Sequence, residues 1–254
     1  MEGEDVEEAA ATEVTCSAKE KPLMCYSAAA SFTVGGTLVP VGAYCLWAAW
    51  AKNRRMLPLA AIPVLLAVQQ VSEGFVWHAL EARDEAAARS WSLIFLFFAL
   101  AFWPFWSPLQ AAVSESRPRR RAWLTALAVA TTGWFWVLFE PLLVGPETRL
   151  TPMVMHHSIR YEFTLPIDDY VSRNVVRVAY LLSIVAPLVV GPRLFGVLPG
   201  LLLGAAAVVT AIVFAYAFAS VWCLFAAVIS LGLGYIFYRM PTQGPTPVGP
   251  SQGE

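Results

Sequence analysis

Residues 69–78 place a carboxyl group, an imidazole and two amides inside a long apolar segment. The stretch reads Gln-Gln-Val-Ser-Glu-Gly-Phe-Val-Trp-His. On a helix, Gln69 and Trp77 lie one turn to either side of Glu73, and Gln70 shares that face. Where such a segment crosses a bilayer, lipid cannot satisfy its polar groups, so this face must point into a bundle of helices. An ionisable residue at such a depth is by default a candidate binding site.

Histidine and cysteine supply a second kind of chemistry, because imidazole and thiolate are the ligands that zinc prefers. The chain has three histidines and four cysteines, without C-x-x-C spacing. One hypothesis is therefore an enzyme or redox protein that binds a metal or haem. Its candidate metal ligands are His78, His156, His157, Cys25 and Cys223. Cys25 and Cys223 are alternatively a disulfide that joins the first and last spans, if their Cα atoms come within about 7 Å.

The composition is that of a membrane protein. Hydrophobic residues make up 58% of the chain and charged residues 14%, against about 25% charge in a soluble domain. Long apolar runs recur along the sequence, which predicts an all-α polytopic membrane protein and a lipid bilayer as its partner. The net charge of −1 gives no basic excess, and no nucleic acid partner is expected.

The apolar runs predict a bundle of seven transmembrane helices. The segment 194–238 carries almost no charge, yet a single helix of that length would be about 67 Å long, twice the hydrocarbon core of about 30 Å. It must therefore fold back, with a turn expected near residues 215–220. The expected spans are about 26–50, 57–80, 91–113, 122–144, 175–190, and two within 194–238.

Seven spans put the two termini on opposite sides, and the side with more basic residues in its short loops faces the cytoplasm. We therefore predict an outer N-terminus, a cytoplasmic C-terminus and residence in the plasma membrane. The expected division is a disordered acidic tail at 1–23, a transmembrane domain at 24–239 and a disordered tail at 240–254. The nine basic residues on the predicted cytoplasmic side are Lys52, Arg54, Arg55, Arg117, Arg119, Arg120, Arg121, Arg193 and Arg239.

One connection, about 145–174, is longer than the roughly 15 residues beyond which loops are usually functional or disordered. Its aromatic and aliphatic residues are spaced among charges, which predicts an ordered cap on the outer side. The leading hypothesis is a sensor or transporter-like protein with an outward-facing polar pocket beneath this cap. The expected ligand is a small molecule, an ion or a lipid headgroup. The candidate ligand-binding residues are Gln69, Gln70, Glu73, Trp77, Glu140, Tyr161 and Glu162.

Other hypotheses follow from the same residues. The two glutamines and Glu73 are alternatively structural, hydrogen-bonding neighbouring helices, and the whole protein is alternatively a structural subunit of a larger membrane complex. No phosphate-binding glycine motif occurs. Every lysine lies at or before position 52, which excludes a retinal Schiff base in the seventh span. Neither an enzymatic reaction nor an oligomeric state is predicted.

The chain resembles an uncharacterised family of small multi-pass membrane proteins that typically open at Met-Cys-Phe-Ser. The resemblance covers about residues 24–239 and supports the seven-span interpretation. The family has no known activity to carry over, and this sequence departs from it by its acidic N-terminal extension. The matching segments are Met24-Cys25-Tyr26-Ser27, Leu57-Pro58-Leu59 through Pro63, Gln69-Gln70-x-x-Glu73-Gly74-x-x-Trp77, Phe102-Trp103-Pro104, His157-Ser158-Ile159-x-Tyr161, and Trp222-Cys223 with Ala226-Ala227.

Overall fold

The computed structural model describes residues 27–146, 149–155, 157–190 and 197–240. The predicted tails lie outside the described residues, apart from Met240. Nearly all the described chain is helical. The helices are α1 (Ala28–Lys52), α2 (Leu57–Ala60), α3 (Ile62–Glu81), α4 (Glu85–Leu96), α5 (Trp103–Ser114), α6 (Pro118–Thr131), α7 (Glu140–Val144), α8 (Arg173–Val190), α9 (Leu198–Val213), α10 (Phe218–Ser230) and α11 (Gly232–Arg239).

Six helical segments of the described chain are long and apolar enough to cross a membrane. They confirm a helical multi-pass membrane protein, but not the predicted count of seven spans. The difference lies at α9, which has only 16 residues and is about 24 Å long, shorter than a typical hydrocarbon core. The six segments are Ala28–Lys52, Arg54–Glu81, Glu85–Ser114, Pro118–Val144, Arg173–Val190 and Ala215–Arg239.

The long uncharged segment folds back where its length requires it. The helix α9 ends at Val213, and the next residue, Phe214, leaves the helical region with a φ of −124° and a ψ of 34°. A short 3-10 turn at Ala215–Ala217 then leads into α10, which packs against α9. The Trp222 indole N–H donates to the Leu203 carbonyl at 3.3 Å and ties the two arms together.

At Gly42 the helices α1 and α3 approach so closely that a residue larger than glycine would not fit between them. A Cβ atom at Gly42 would lie 2.8 Å from the Val64 backbone nitrogen. Gly35, two turns earlier, faces Val71 and the Ala67 carbonyl in the same way. These small residues let the backbones approach directly, as is common between helices in membranes.

Two π-helical turns interrupt the third and fourth apolar segments. They cover Phe97–Phe102 and Phe135–Phe139, and each comes just before a proline, at Pro104 and Pro141. A proline has no N–H and its ring collides with the carbonyl four residues earlier, so a widened turn relieves the local strain. The two turns pack against each other.

A β-hairpin, which the all-α prediction missed, lies within the long connection. Its strands β1 (Leu150–Met155) and β2 (Ser158–Phe163) are antiparallel, with Leu150 opposite Phe163. Along β2 the buried residues Ile159 and Tyr161 alternate with more exposed ones, because successive side chains of a strand point to opposite faces. The hairpin contacts α3, α4 and α10, so this segment is an ordered part of the bundle.

The helices therefore have a hairpin end and a basic end. At the basic end the Lys52 ammonium donates to the carbonyls of Phe237, at 3.0 Å, and Met240, at 2.8 Å. The Ser114 hydroxyl donates to the Arg55 carbonyl at 3.5 Å. The first span, expected at about 26–50, extends two residues further, because α1 continues through Lys52.

Candidate functional site

Gln69 joins three helices in the middle of the bundle. The Trp103 indole N–H of α5 donates to Gln69 Oε1 at 2.7 Å. Gln69 Nε2 donates to the Cys223 sulfur of α10 at 3.1 Å. The side chain is completely buried, and both ends of its amide have partners, which is what a buried amide requires. Gln69 therefore acts as a polar joint between α3, α5 and α10.

Glu73 lies one turn closer to the hairpin end and is also buried, with 2% of its surface exposed. The Ser220 hydroxyl of α10 donates to its carboxyl group. The Tyr161 hydroxyl of β2 faces the same carboxyl group. No ion pair among the described residues includes Glu73. Its carboxyl group thus sits where the hairpin, α3 and α10 meet, next to hydroxyl groups rather than cations.

Several polar atoms around Glu73 retain unused hydrogen-bonding capacity. Glu73 Oε1 and the Tyr161 hydroxyl do not complete a hydrogen bond of good geometry with each other. Both amide atoms of Gln70, which is completely buried, also have no partner among the described residues. Most buried polar groups in proteins are paired, so these atoms are suited to a polar ligand or to water.

A cavity of about 460 Å³ lies beneath the hairpin, and we call it the hairpin cavity. Residues 160–163 of β2, the first turns of α8 and the turn 215–219 line it. Its volume falls within the range of about 300–1,000 Å³ that is usual for small-molecule sites. Tyr161 lines the cavity and also faces Glu73. It therefore connects the cavity to the buried polar residues.

The hairpin cavity has a small positive excess, from three arginines and two carboxylates. Arg160 pairs with Glu162 at 3.0 Å, and Arg173 pairs with Asp168 at 2.7 Å. Arg177 instead lies over the Phe218 ring, 5.4 Å from its centroid. No carboxylate of the described chain is within ion-pair distance of Arg177. Its charge is thus available to an anionic ligand.

The pKa values of Asp168 and Tyr161, both at the hairpin end, are shifted. The hydrogen bond from Arg173 is the main cause that lowers the pKa of Asp168. Burial is the main cause that raises the pKa of Tyr161 well above its ordinary value, and the nearby Glu73 and Cys223 add to it. Tyr161 therefore remains protonated and can donate a hydrogen bond.

The remaining candidate ligand residues are Glu162, Trp77 and Glu140, of which the first two lie in this region. Glu162 lines the hairpin cavity together with Tyr161. Trp77 is buried in the same hydrophobic cluster as Tyr161. Glu140 is half-buried at the start of α7, directly after a π-helical turn.

The candidate metal ligands do not gather in the described chain. His78 is exposed near the end of α3, and His157 occupies the hairpin turn with a φ of 60°. Cys223 is buried against Gln69. Among the described residues, no three side chains of histidine, cysteine, aspartate or glutamate come close enough to hold a metal ion. Cys25 and His156 lie outside the described residues. The alternative disulfide between Cys25 and Cys223 therefore lies outside them too.

Sequence reasoning missed several residues of this region, which are Trp103, Tyr180, Arg173 and Arg177. Trp103 and Ser220 are the partners of the two polar residues that the sequence did indicate. Arg173 and Arg177 are one helical turn apart, which places them on one face of α8. This spacing was the one sequence feature that pointed to these arginines. It indicates that they share a face of the helix, but not which residues that face contacts.

The helices and their buried polar residues define a multi-pass helical membrane protein with a cluster of polar side chains inside the bundle. The chain belongs to a family of unknown function, DUF6629, whose model matches residues 24–246. This confirms the expectation of an uncharacterised family. No curated protein and no solved structure matches the chain. Its function must therefore be argued from the site itself.

Proposed function

We propose that this membrane protein binds a small molecule, an ion or a lipid headgroup in the hairpin cavity and acts as a ligand sensor. The observation that carries the proposal is the buried carboxyl group of Glu73, which faces Tyr161 and Ser220 and has unused hydrogen-bonding capacity. A buried ionisable group inside a helical bundle is costly, and function is the usual reason to keep one.

The contacts around Glu73 favour a sensor over a passive binding site. Tyr161 touches the cavity on one side and Glu73 on the other. Glu73 in turn contacts Ser220 of α10, the helix that Gln69 connects to α5. A ligand that binds one arrangement of Tyr161 better than another would therefore shift the packing of three helices.

The proposal includes seven spans, with α9 as the short one. Its exposed apolar residues Leu201, Val208 and Ile212 suit contact with lipid, and a short span is accommodated by local thinning of the bilayer. The basic end would face the cytoplasm of the plasma membrane. Exposed Trp50 and Trp123 at that end support an interfacial position. Tags or glycosylation sites placed in the hairpin would label from outside; labelling from the cytoplasm would refute this orientation.

Ligand retention tests the proposal. Wild-type protein, Glu73→Gln and Glu81→Gln would be purified in a mild detergent and their bound molecules identified by mass spectrometry. Glu81 is exposed at the end of the same helix, so it is a matched control. We expect the wild type and Glu81→Gln to retain the same molecule and Glu73→Gln to lose it. Equal retention by a folded Glu73→Gln variant would show that Glu73 has no role in binding.

A further inference from the structure

A second cavity, of about 420 Å³, runs along the membrane-spanning part of the bundle. It lies between α5, α8, α9 and the last two helices, and we call it the apolar groove. Nearly all its lining atoms are hydrocarbon or aromatic. Leu198, Leu202 and Tyr235 line it and are 61%, 47% and 65% exposed. The groove is therefore open to the lipid that surrounds these helices.

The apolar groove lies next to the hairpin cavity along the same two helices. On α8, Tyr180 lines the hairpin cavity and Ile184, one turn later, lines the groove. On α10, Phe218 lines the cavity and Trp222 lines the groove. The rings of Tyr180 and Trp222 meet edge to face, with centroids 6.3 Å apart, and they mark the boundary between the two spaces.

The arginines that line the hairpin cavity suit an anion. Arg173 begins α8, and Arg177 lies one turn further along. The N-terminus of a helix already carries a partial positive charge, so cations there gain from a bound anion. Asp168 offsets Arg173, whereas Arg177 has no carboxylate partner in the described chain. An anionic group in the hairpin cavity would therefore find a half-buried guanidinium that has no carboxylate partner in the described chain.

The apolar end suits a hydrocarbon chain. From Trp222 to Tyr235 the groove follows about 20 Å of helix, at 1.5 Å per residue. That is about two thirds of a hydrocarbon core of 30 Å. A chain whose head lies at the hairpin end would thus extend along the groove towards the middle of the bilayer and beyond.

We infer that the ligand of the hairpin cavity is an anionic membrane lipid, whose charged head is held by Arg177 and Arg173 while one acyl chain occupies the apolar groove. This inference rests on the proposed function, since it names the chemical class of the ligand at that site. The arginines of the hairpin cavity favour an anionic head, and the lining of the apolar groove favours an acyl chain. A water-soluble anion lacks the chain and a zwitterionic lipid lacks the net charge, so each makes only part of these contacts.

The test measures binding to the full chain in detergent by native mass spectrometry. The probes are phosphatidylglycerol, phosphatidylcholine and glycerol phosphate, which is the anionic head without a tail. We expect phosphatidylglycerol to bind preferentially and Arg177→Gln to weaken it about tenfold, as loss of a charged hydrogen bond does. Arg119→Gln removes an exposed charge at the basic end and should leave binding unchanged.

A second pair of variants tests the tail. Ala226 lines the apolar groove, whereas Ala205 is exposed on α9 and is not part of that lining. We expect Ala226→Phe to weaken phosphatidylglycerol binding and Ala205→Phe to leave it intact. Should Ala226→Phe fail to fold, a photoreactive group in the lipid tail gives an independent readout on the wild type. It should label residues 198–203 and 222–236.

The outcomes separate this inference from the proposed function. Binding of glycerol phosphate as tight as that of phosphatidylglycerol would overturn the lipid assignment and leave a polar-ligand site intact. Equal binding of both lipids, or equal loss with Arg119→Gln, would also overturn it, because either would indicate nonspecific lipid contact. Binding of none of the probes would reject the lipid, while a molecule retained through Glu73 would still support the proposed function.

Discussion

The Tyr180 hydroxyl donates a hydrogen bond to the Ala99 carbonyl. This carbonyl has no backbone N–H to accept from, because the residue that would supply it is Pro104. In the π-helical turn Phe97–Phe102 the N–H of Trp103 bonds to the Phe98 carbonyl, five residues earlier. The equivalent partner of Ala99 would be residue 104, and proline has no N–H. The tyrosine of α8 thus satisfies a carbonyl that the proline has released, and it links α8 to the third apolar segment.

Replacing Tyr180 with phenylalanine should destabilise the bundle by about 1–3 kcal/mol, the cost of leaving a buried acceptor without a partner. Thermal unfolding in detergent measures the loss, and Tyr238→Phe, at an exposed position, is the control. In a Pro104→Ala background the new backbone N–H can donate to the Ala99 carbonyl. Tyr180→Phe should then lower the free energy of unfolding by a smaller amount. An unchanged cost in that background would contradict the role given to Pro104.

The Gln69–Trp103 hydrogen bond should appear as a coupling energy between α3 and α5. We expect Gln69→Leu and Trp103→Phe each to lower the free energy of unfolding. The double variant should lose less than the two changes added together, by about 1 kcal/mol. A double-mutant cycle by reversible unfolding measures this difference. Strict additivity would mean that the contact contributes nothing beyond packing.

Gly42 should tolerate no side chain, because α3 backbone atoms occupy the space where one would lie. Gly42→Ala is expected to destabilise by about 1–3 kcal/mol through overpacking. Gly36→Ala is the matched control on the same helix, since a Cβ there meets no atom within 4 Å. It should be neutral or stabilising by up to about 1 kcal/mol, because alanine favours helix. Thermal unfolding that ranks the two variants equally would contradict this packing.

The Asp168–Arg173 pair should make the hairpin end sensitive to acid. The pKa of Asp168 is lowered from 3.8 in the folded protein. Its contribution is therefore complete above about pH 4 and is lost as the pH falls through the lower folded pKa. Because Arg173 is largely exposed, we expect less than about 1 kcal/mol. Thermal unfolding from about pH 7 to about pH 3 measures this pH dependence. Asp168→Asn should remove it, whereas the control Asp169→Asn should not. Equal pH profiles for the two variants would contradict the role of the Asp168–Arg173 pair.

The sequence predicted those features that depend on local composition and on length. Apolar runs gave the helices, and the length of the uncharged segment required the turn that forms at Phe214. The polar face of α3 was also recognisable, because Gln69 and Glu73 follow the helical period. Their burial in the structure agrees with that inward-facing prediction.

The rest depended on contacts between distant segments. The hairpin was missed because β1 reads Leu-Thr-Pro-Met-Val-Met, without the regular polar alternation that marks a strand. Ser220 and Tyr161 have no sequence relation to Glu73, and only the packing of α10 and β2 brings them together. The role of Tyr180 depends on where a π-helical turn leaves a free carbonyl, which a residue pattern does not encode.

Under the proposed function, the hairpin cavity is a ligand site that Tyr161 connects to Glu73. A density map of the full chain, extracted with its native lipids, is the decisive measurement. We expect non-protein density in the cavity of the wild type, with its polar end within hydrogen-bonding distance of Arg177 or Tyr161, and no such density in Glu73→Gln. A cavity filled by the protein's own side chains or by water alone, identical in both proteins, would mean that it is not a ligand site of this kind.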